Sequence, residues 1–171
     1  SWSPQHGGFT RCCIEMTIPT CLILRLIMSR SNSFRDAIEN GESVYGARNS
    51  TFASNLIELY GHIGLDWVWL DFEHQGGSPW NSHTFEDLTR AAEVADVELV
   101  VRIPSNDQGL IRKVLDAGVK NLLIPRLETA DAVRTAVEAG RFEYDGAPGQ
   151  RGTSASRATN FGKRNYVDTE D

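Results

Sequence analysis

From Ser33 to about residue 140, short apolar runs alternate with amphipathic stretches, and most of these stretches open on residues whose side chains cap helices. The spacing predicts a short helix over 34–40 stopped by Gly41 and a strand over 43–48. A helix carrying Phe52, Leu56, Leu59, Tyr60 and Ile63 follows, with Ser50 or Thr51 as its cap. Residues 66–71 read as the second strand. Thr84 and Asp87 resemble a capping box that opens a helix reaching about Val94. The third strand is 98–102. Asp107 opens a helix with Leu110, Ile111, Val114 and Leu115 on one face, which ends at Gly118, where a left-handed residue is expected. Residues 121–125 form the fourth strand, and Thr129 caps a helix through Glu138 that Gly140 closes.

Strand then amphipathic helix, repeated at intervals of one strand plus one crossover, is the signature of βαβ units. A weak internal repeat supports it: residues 63–71 and 117–125 each run from a helix end through a glycine into a buried strand. The strands are close to continuously apolar (Trp67-Val-Trp-Leu, Leu99-Val-Val), which predicts a parallel sheet covered on both faces. A doubly wound sheet and a (β/α)8 barrel both fit. A complete barrel takes ~250 residues, so residues 28–171 would supply about its first four units.

The chain has 171 residues, a net charge of -6 and a pI near 5.2, so it offers no basic stripe for nucleic acid. The first thirty residues hold Arg11, Arg25 and Arg30 against Glu15, which leaves the rest of the chain more acidic still. Cys12, Cys13 and Cys21 all lie there too, so the body has no thiol for a disulfide, a zinc ion or a nucleophile, which fits a cytoplasmic compartment. The longest apolar stretch of this leader, 21–28, is broken by Arg25 and falls short of the ~20 residues that span a bilayer, so no membrane association is expected. Residues 1–27 read as an upstream or non-native leader, with a targeting segment as the alternative, and 28–171 as the domain.

In either architecture the strand C-termini form the functional rim. There the sequence places Asp71-Phe-Glu-His74, Arg102, and Pro125 with Arg126. A carboxylate beside an imidazole orients a histidine that takes a proton, and an arginine ending a buried strand needs an anion, from a substrate or from a neighbouring Asp71 or Glu73. Acidic strand exits with a solvated histidine are the plain alternative. Arg151 in the glycine-punctuated segment 141–171 is placed to cradle a carboxylate with the backbone of Gly152, the alternative being a flexible tail. His6, His62 and His83 read as surface residues, and Trp67 and Trp69 as core rather than a stacking platform.

Asp71-Phe-Glu-His74, Val100-Val-Arg-Ile-Pro104, Leu122-Leu-Ile-Pro125 and Gly149-Gln-Arg-Gly152, in that order and spacing, resemble the HpcH/HpaI aldolase and citrate lyase family. Within it they are most like the 4-hydroxy-2-oxoheptanedioate and 2-dehydro-3-deoxyglucarate aldolases. The resemblance implies a (β/α)8 TIM barrel of the phosphoenolpyruvate/pyruvate type, represented by its first four units. It implies His74 as catalytic base, Asp71 as its partner and Arg102 on the pyruvate oxygen. Such aldolases cleave or form a carbon-carbon bond through a pyruvate enolate, whose charge needs an electrophile. Lys113, Lys120 and Lys163, the three lysines against fourteen arginines, avoid the strand C-termini, which disfavours a Schiff base.

A divalent metal (Mg²⁺, Mn²⁺ or Co²⁺) remains, and the resemblance places its carboxylate ligands on later strands, beyond Asp171. No metal ligand is assigned within the chain: Glu170 and Asp171 do not match the ligand positions, and Glu73 is at most a supporting group. The implied partners are pyruvate and an aldehyde, in a homo-oligomer at full length. The alternatives are a CoA-thioester lyase of the citrate-lyase branch, and a catalytically inactive fragment or module that pairs with a second chain through its edge strands.

Overall fold

The computed structural model describes residues 33–170, so the leader and its cysteines lie outside the described residues. The elements follow in chain order as α1 (Ser33–Glu39), β1 (Gly46–Arg48), α2 (Ser54–His62), β2 (Trp67–Asp71), α3 (Ser82–Val94), β3 (Glu98–Arg102), α4 (Gln108–Asp116), β4 (Asn121–Leu123), α5 (Ala130–Gly140) and α6 (Val167–Glu170). The four strands form one parallel sheet in the order β1-β2-β3-β4. A doubly wound sheet reverses direction at a switch point; this one does not, and right-handed crossovers that step always the same way lay the crossover helices α2, α3 and α4 on one face. The architecture is therefore an α/β partial barrel.

The two faces of this sheet are covered differently. Val68 and Leu70 of β2, Leu99 and Val101 of β3 and Leu122 of β4 point toward the helices. They share one buried cluster with Ile57, Phe85, Leu88, Leu110, Ile111, Val114, Leu115 and Ala136. The alternate residues Trp67, Trp69, Val100, Arg102 and Leu123 are only partly buried and look to the other side, the inner face of the barrel. Continuous apolarity thus has two causes along one strand, a helix-packed face and a barrel lining.

Asp107 and Thr129 cap α4 and α5 as expected, each side chain accepting from the N–H three residues on, at Leu110 and Ala132. Gly118 follows α4 at φ +103, a conformation costly for any residue with a Cβ. Two expected caps are different. Helix α2 starts after Ala53, which makes no side-chain cap, and helix α3 opens on Asn81, whose side chain accepts from His83 N–H, so Thr84 is already inside the first turn. Asn49, buried after β1, accepts from the N–H groups of Thr51 and Phe52 and donates to the Ala53 carbonyl, which shapes the turn before α2 and leaves Ser50 and Thr51 outside the helix. The segment beyond α5 is not a loose tail either, since Phe142, Arg151, Ala158 and Thr159 are buried.

Candidate functional site

Parallel pairing puts Asp71 of β2 directly beside Arg102 of β3, and Arg48 of β1 beside Trp69 of β2. With alternation along each strand, Arg48, Trp69, Asp71 and Arg102 all project onto the inner face at the strand C-termini. Asp71 is the centre of this group and is 1% exposed. Arg102 grips it with Nε to Oδ1 at 2.9 Å and Nη2 to Oδ2 at 2.6 Å, a two-pronged arrangement that suits a planar guanidinium. Arg48 Nη2 donates to the same Oδ2 at 3.2 Å. The backbone N–H groups of Glu73 and His74 donate to Oδ1, so the carboxylate also folds the strand exit over itself.

Burial pushes the Asp71 carboxyl pKa up, but the hydrogen bond from Arg102, the N–H groups of His74 and Glu73, and the Arg102 charge outweigh it. Together they hold it below the ordinary 3.8. Beneath the cations lies Trp69, with the guanidinium carbons of Arg48 and Arg102 at 5.3 and 5.1 Å from its ring centroid. The indole is a platform for two arginines as well as barrel lining, and its Nε1–H is buried without an acceptor.

Glu73 forms a second tier. Its carboxylate takes Arg102 Nε at 3.2 Å, Arg126 Nη2 at 3.6 Å and His74 Nε2 at 3.5 Å. Arg126 also donates to the Pro104 carbonyl and sits just past β4 at φ +58. Phe52, at φ +56, is the corresponding strained residue after β1; it meets Phe72 edge-on at 4.6 Å and stacks against Gly76, where any Cβ would strike its ring. Left-handed backbone at Phe52 and Arg126, each costing about 1–3 kcal/mol, lies at the strand C-terminal rim.

The structure brings Asp71, Arg102 and His74 together, with a qualification to their expected pairing. Asp71 reaches His74 through its backbone; the carboxylate near the imidazole is that of Glu73, and the side chain of His74 is 66% exposed. Arg151 and Gly152 are not part of this group. The Arg151 side chain is fully enclosed, paired with Asp116 at 2.7 Å and lying over Phe142 at 4.6 Å, at the end of α4 that faces the strand N-termini. The Arg151 guanidinium is enclosed between Asp116 and Phe142, away from the rim, and a Cβ at Gly152 would touch nothing.

Sequence reasoning passed over Arg48 and the platform role of Trp69. Arg48 carried the same signal as Arg102, a guanidinium closing a strand. No three His, Cys, Asp or Glu side chains among the described residues are grouped to hold a metal ion. The two candidate carboxylates also fit one poorly, because guanidiniums and N–H groups already take up Asp71 and Glu73. No helix among them is long and apolar enough to cross a membrane.

Residues 49–159, most of the described chain, match the family model for HpcH/HpaI aldolase/citrate lyase. A hydroxypyruvate/pyruvate aldolase of Roseobacter denitrificans is 32% identical over 141 residues, covering 82% of this chain and 54% of its own. A 2-keto-3-deoxy-L-rhamnonate aldolase of Salmonella gallinarum is 33% identical over 140 residues, covering 80% and 50%. The chain thus spans about half the length of the curated relatives it matches. A crystal structure of an HpcH/HpaI aldolase/citrate lyase family protein from Burkholderia cenocepacia superposes with a TM-score of 0.72 at 33% identity, over 82% of this chain and 56% of that one. Shared sequence over most of the chain, a matching partial barrel and a charged rim at the strand C-termini agree, and the chain belongs to the HpcH/HpaI aldolase/citrate lyase family.

Proposed function

We propose that the protein is an aldolase that cleaves or forms the carbon-carbon bond between the α and β carbons of a 4-hydroxy-2-oxo acid, counted from the carbonyl, with pyruvate as the product or donor. The observation that carries this reading is the juxtaposition at the rim of an exposed imidazole, His74, with a guanidinium, Arg102, anchored at an oxygen-binding position on a buried aspartate. It is supported by relatives named as aldolases.

In cleavage, His74 takes the proton from the hydroxyl on the carbon that will become the aldehyde. The bond between that carbon and its neighbour breaks, and the electron pair passes to the 2-oxo acid as an enolate. The His74 imidazolium then returns that proton to the enolate carbon, which gives pyruvate and restores the neutral imidazole. Arg102 faces the developing oxygen charge, preorganised by Asp71 and Glu73, so little reorganisation is needed when the charge forms. Asp71 is a positioning residue: it fixes Arg102 by two bonds and the His74 backbone by a third. In the family a divalent metal supplies Lewis-acid stabilisation of the enolate. The described residues do not fit that ion, and no step is derived through it.

The test is exchange of the pyruvate methyl protons for deuterium by the whole protein, followed by proton NMR. The reading expects exchange that falls at least ~10²-fold in His74→Ala. Exchange at the wild-type rate in that variant overturns it.

A further inference from the structure

We infer that Arg48 is a specificity-determining binding residue: its guanidinium seats a carboxylate on the aldehyde half of the substrate, so that the rim takes acidic aldehydes in preference to neutral ones. This rests on the aldolase reading of the same rim.

The two arginines on Trp69 are committed differently. Arg102 spends its donors on Asp71 and Glu73, at 2.6 to 3.2 Å, and its side chain is 20% exposed. Arg48 gives one Nη2 donor to Asp71 at 3.2 Å, is 42% exposed, and its remaining N–H groups meet no acceptor among the described residues. The open fork on the inner face is therefore that of Arg48, and a guanidinium fork matches a carboxylate in plane and in spacing.

Charge points the same way. Arg48, Arg102 and Arg126 converge on Asp71 and Glu73, so among the described residues three guanidiniums share two carboxylates, in a chain whose net charge is -6. A local positive excess inside an acidic protein is complementary to an anion. Arg48 and Arg102 share the Oδ2 atom of Asp71 and the ring of Trp69, so they are neighbours in one corner of the rim. With Arg102 on the 2-oxo acid, Arg48 falls to the other reactant.

The experiment compares two aldehydes of equal length, glyoxylate and glycolaldehyde, each with pyruvate as donor and the whole protein as catalyst. The kcat/KM ratio of glyoxylate to glycolaldehyde should favour glyoxylate in the wild type. In Arg48→Gln that ratio should fall roughly 10- to 100-fold, the scale of a charge-assisted hydrogen bond. Arg48→Lys, which keeps the charge and loses the fork, should give an intermediate ratio; it also serves should the Gln variant not fold. A purely structural Arg48 would lower both substrates alike, and an unchanged ratio overturns the inference. Absence of pyruvate proton exchange in the wild type would instead sink the aldolase reading. In that event, calorimetry with glyoxylate alone still reads Arg48: weaker binding in Arg48→Gln upholds the seat, and equal binding overturns it.

Discussion

Two ion-pair clusters at opposite ends of the sheet are built from the same parts. At the strand C-termini, Arg48 and Arg102 lie over Trp69 and hold Asp71; at the other end, Arg151 lies over Phe142 and holds Asp116. The Arg151 side chain is wholly enclosed, whereas the rim arginines keep solvent access. Among the described residues Arg151 pairs with Asp116 at 2.7 Å, while three rim guanidiniums share two carboxylates. Chemistry of the residues is thus a poor guide to role; access and charge balance decide whether an arginine staples the fold or waits for an anion.

The sharpest way to break the comparison is Asp71→Ala. It leaves buried guanidinium surface without its carboxylate, and removing one partner of a buried pair costs about 3–5 kcal/mol, read as a lowered urea midpoint. A loss under about 1 kcal/mol would mean that the rim arginines do not depend on Asp71. His74→Ala is expected to show the opposite division. Retro-aldol kcat should drop by about 10²-fold or more, with stability within about 0.5 kcal/mol of wild type because the side chain is mostly exposed. An equal drop in stability would make His74 a structural residue.

Arg151→Met sharpens the contrast from the other end. Asp116 is partly exposed and can rehydrate, so the expected cost is about 1–3 kcal/mol of stability, with KM for pyruvate unmoved in the folded protein. A raised KM would return Arg151 to the substrate. The smallest effect is in the pH dependence. The Asp71 pKa is depressed on folding, so its contribution is fully present above the unfolded value, near 3.8, and is lost as pH falls through the lower folded value. The stability gap between wild type and Asp71→Asn should therefore narrow from pH 5 to pH 3 and below. A gap that widens on acidification contradicts the sign.

Much of this was legible in the amino-acid order because it depends on local rules. The alternation of strands and helices follows from hydrophobic period, the caps at Asp107 and Thr129 from side chains that reach their own backbone, and the left-handed Gly118 from its missing Cβ. The motif residues Asp71, His74 and Arg102 mark the family in the sequence itself, and their place at strand ends puts them on one rim. Family membership and helix-strand order thus rest on the sequence by itself.

Tertiary structure decided what depends on partners distant in the chain. Whether Trp67 and Trp69 face helices or the barrel interior is set by the strand order, which a period-2 pattern cannot report when both faces are apolar. That Arg48 joins Arg102 on one carboxylate follows from register across β1, β2 and β3. That Arg151 is a staple follows from its enclosure against Asp116, thirty-five positions away. Each guanidinium looks alike as a letter; its role is fixed by the dielectric and the counter-charges that folding gathers around it.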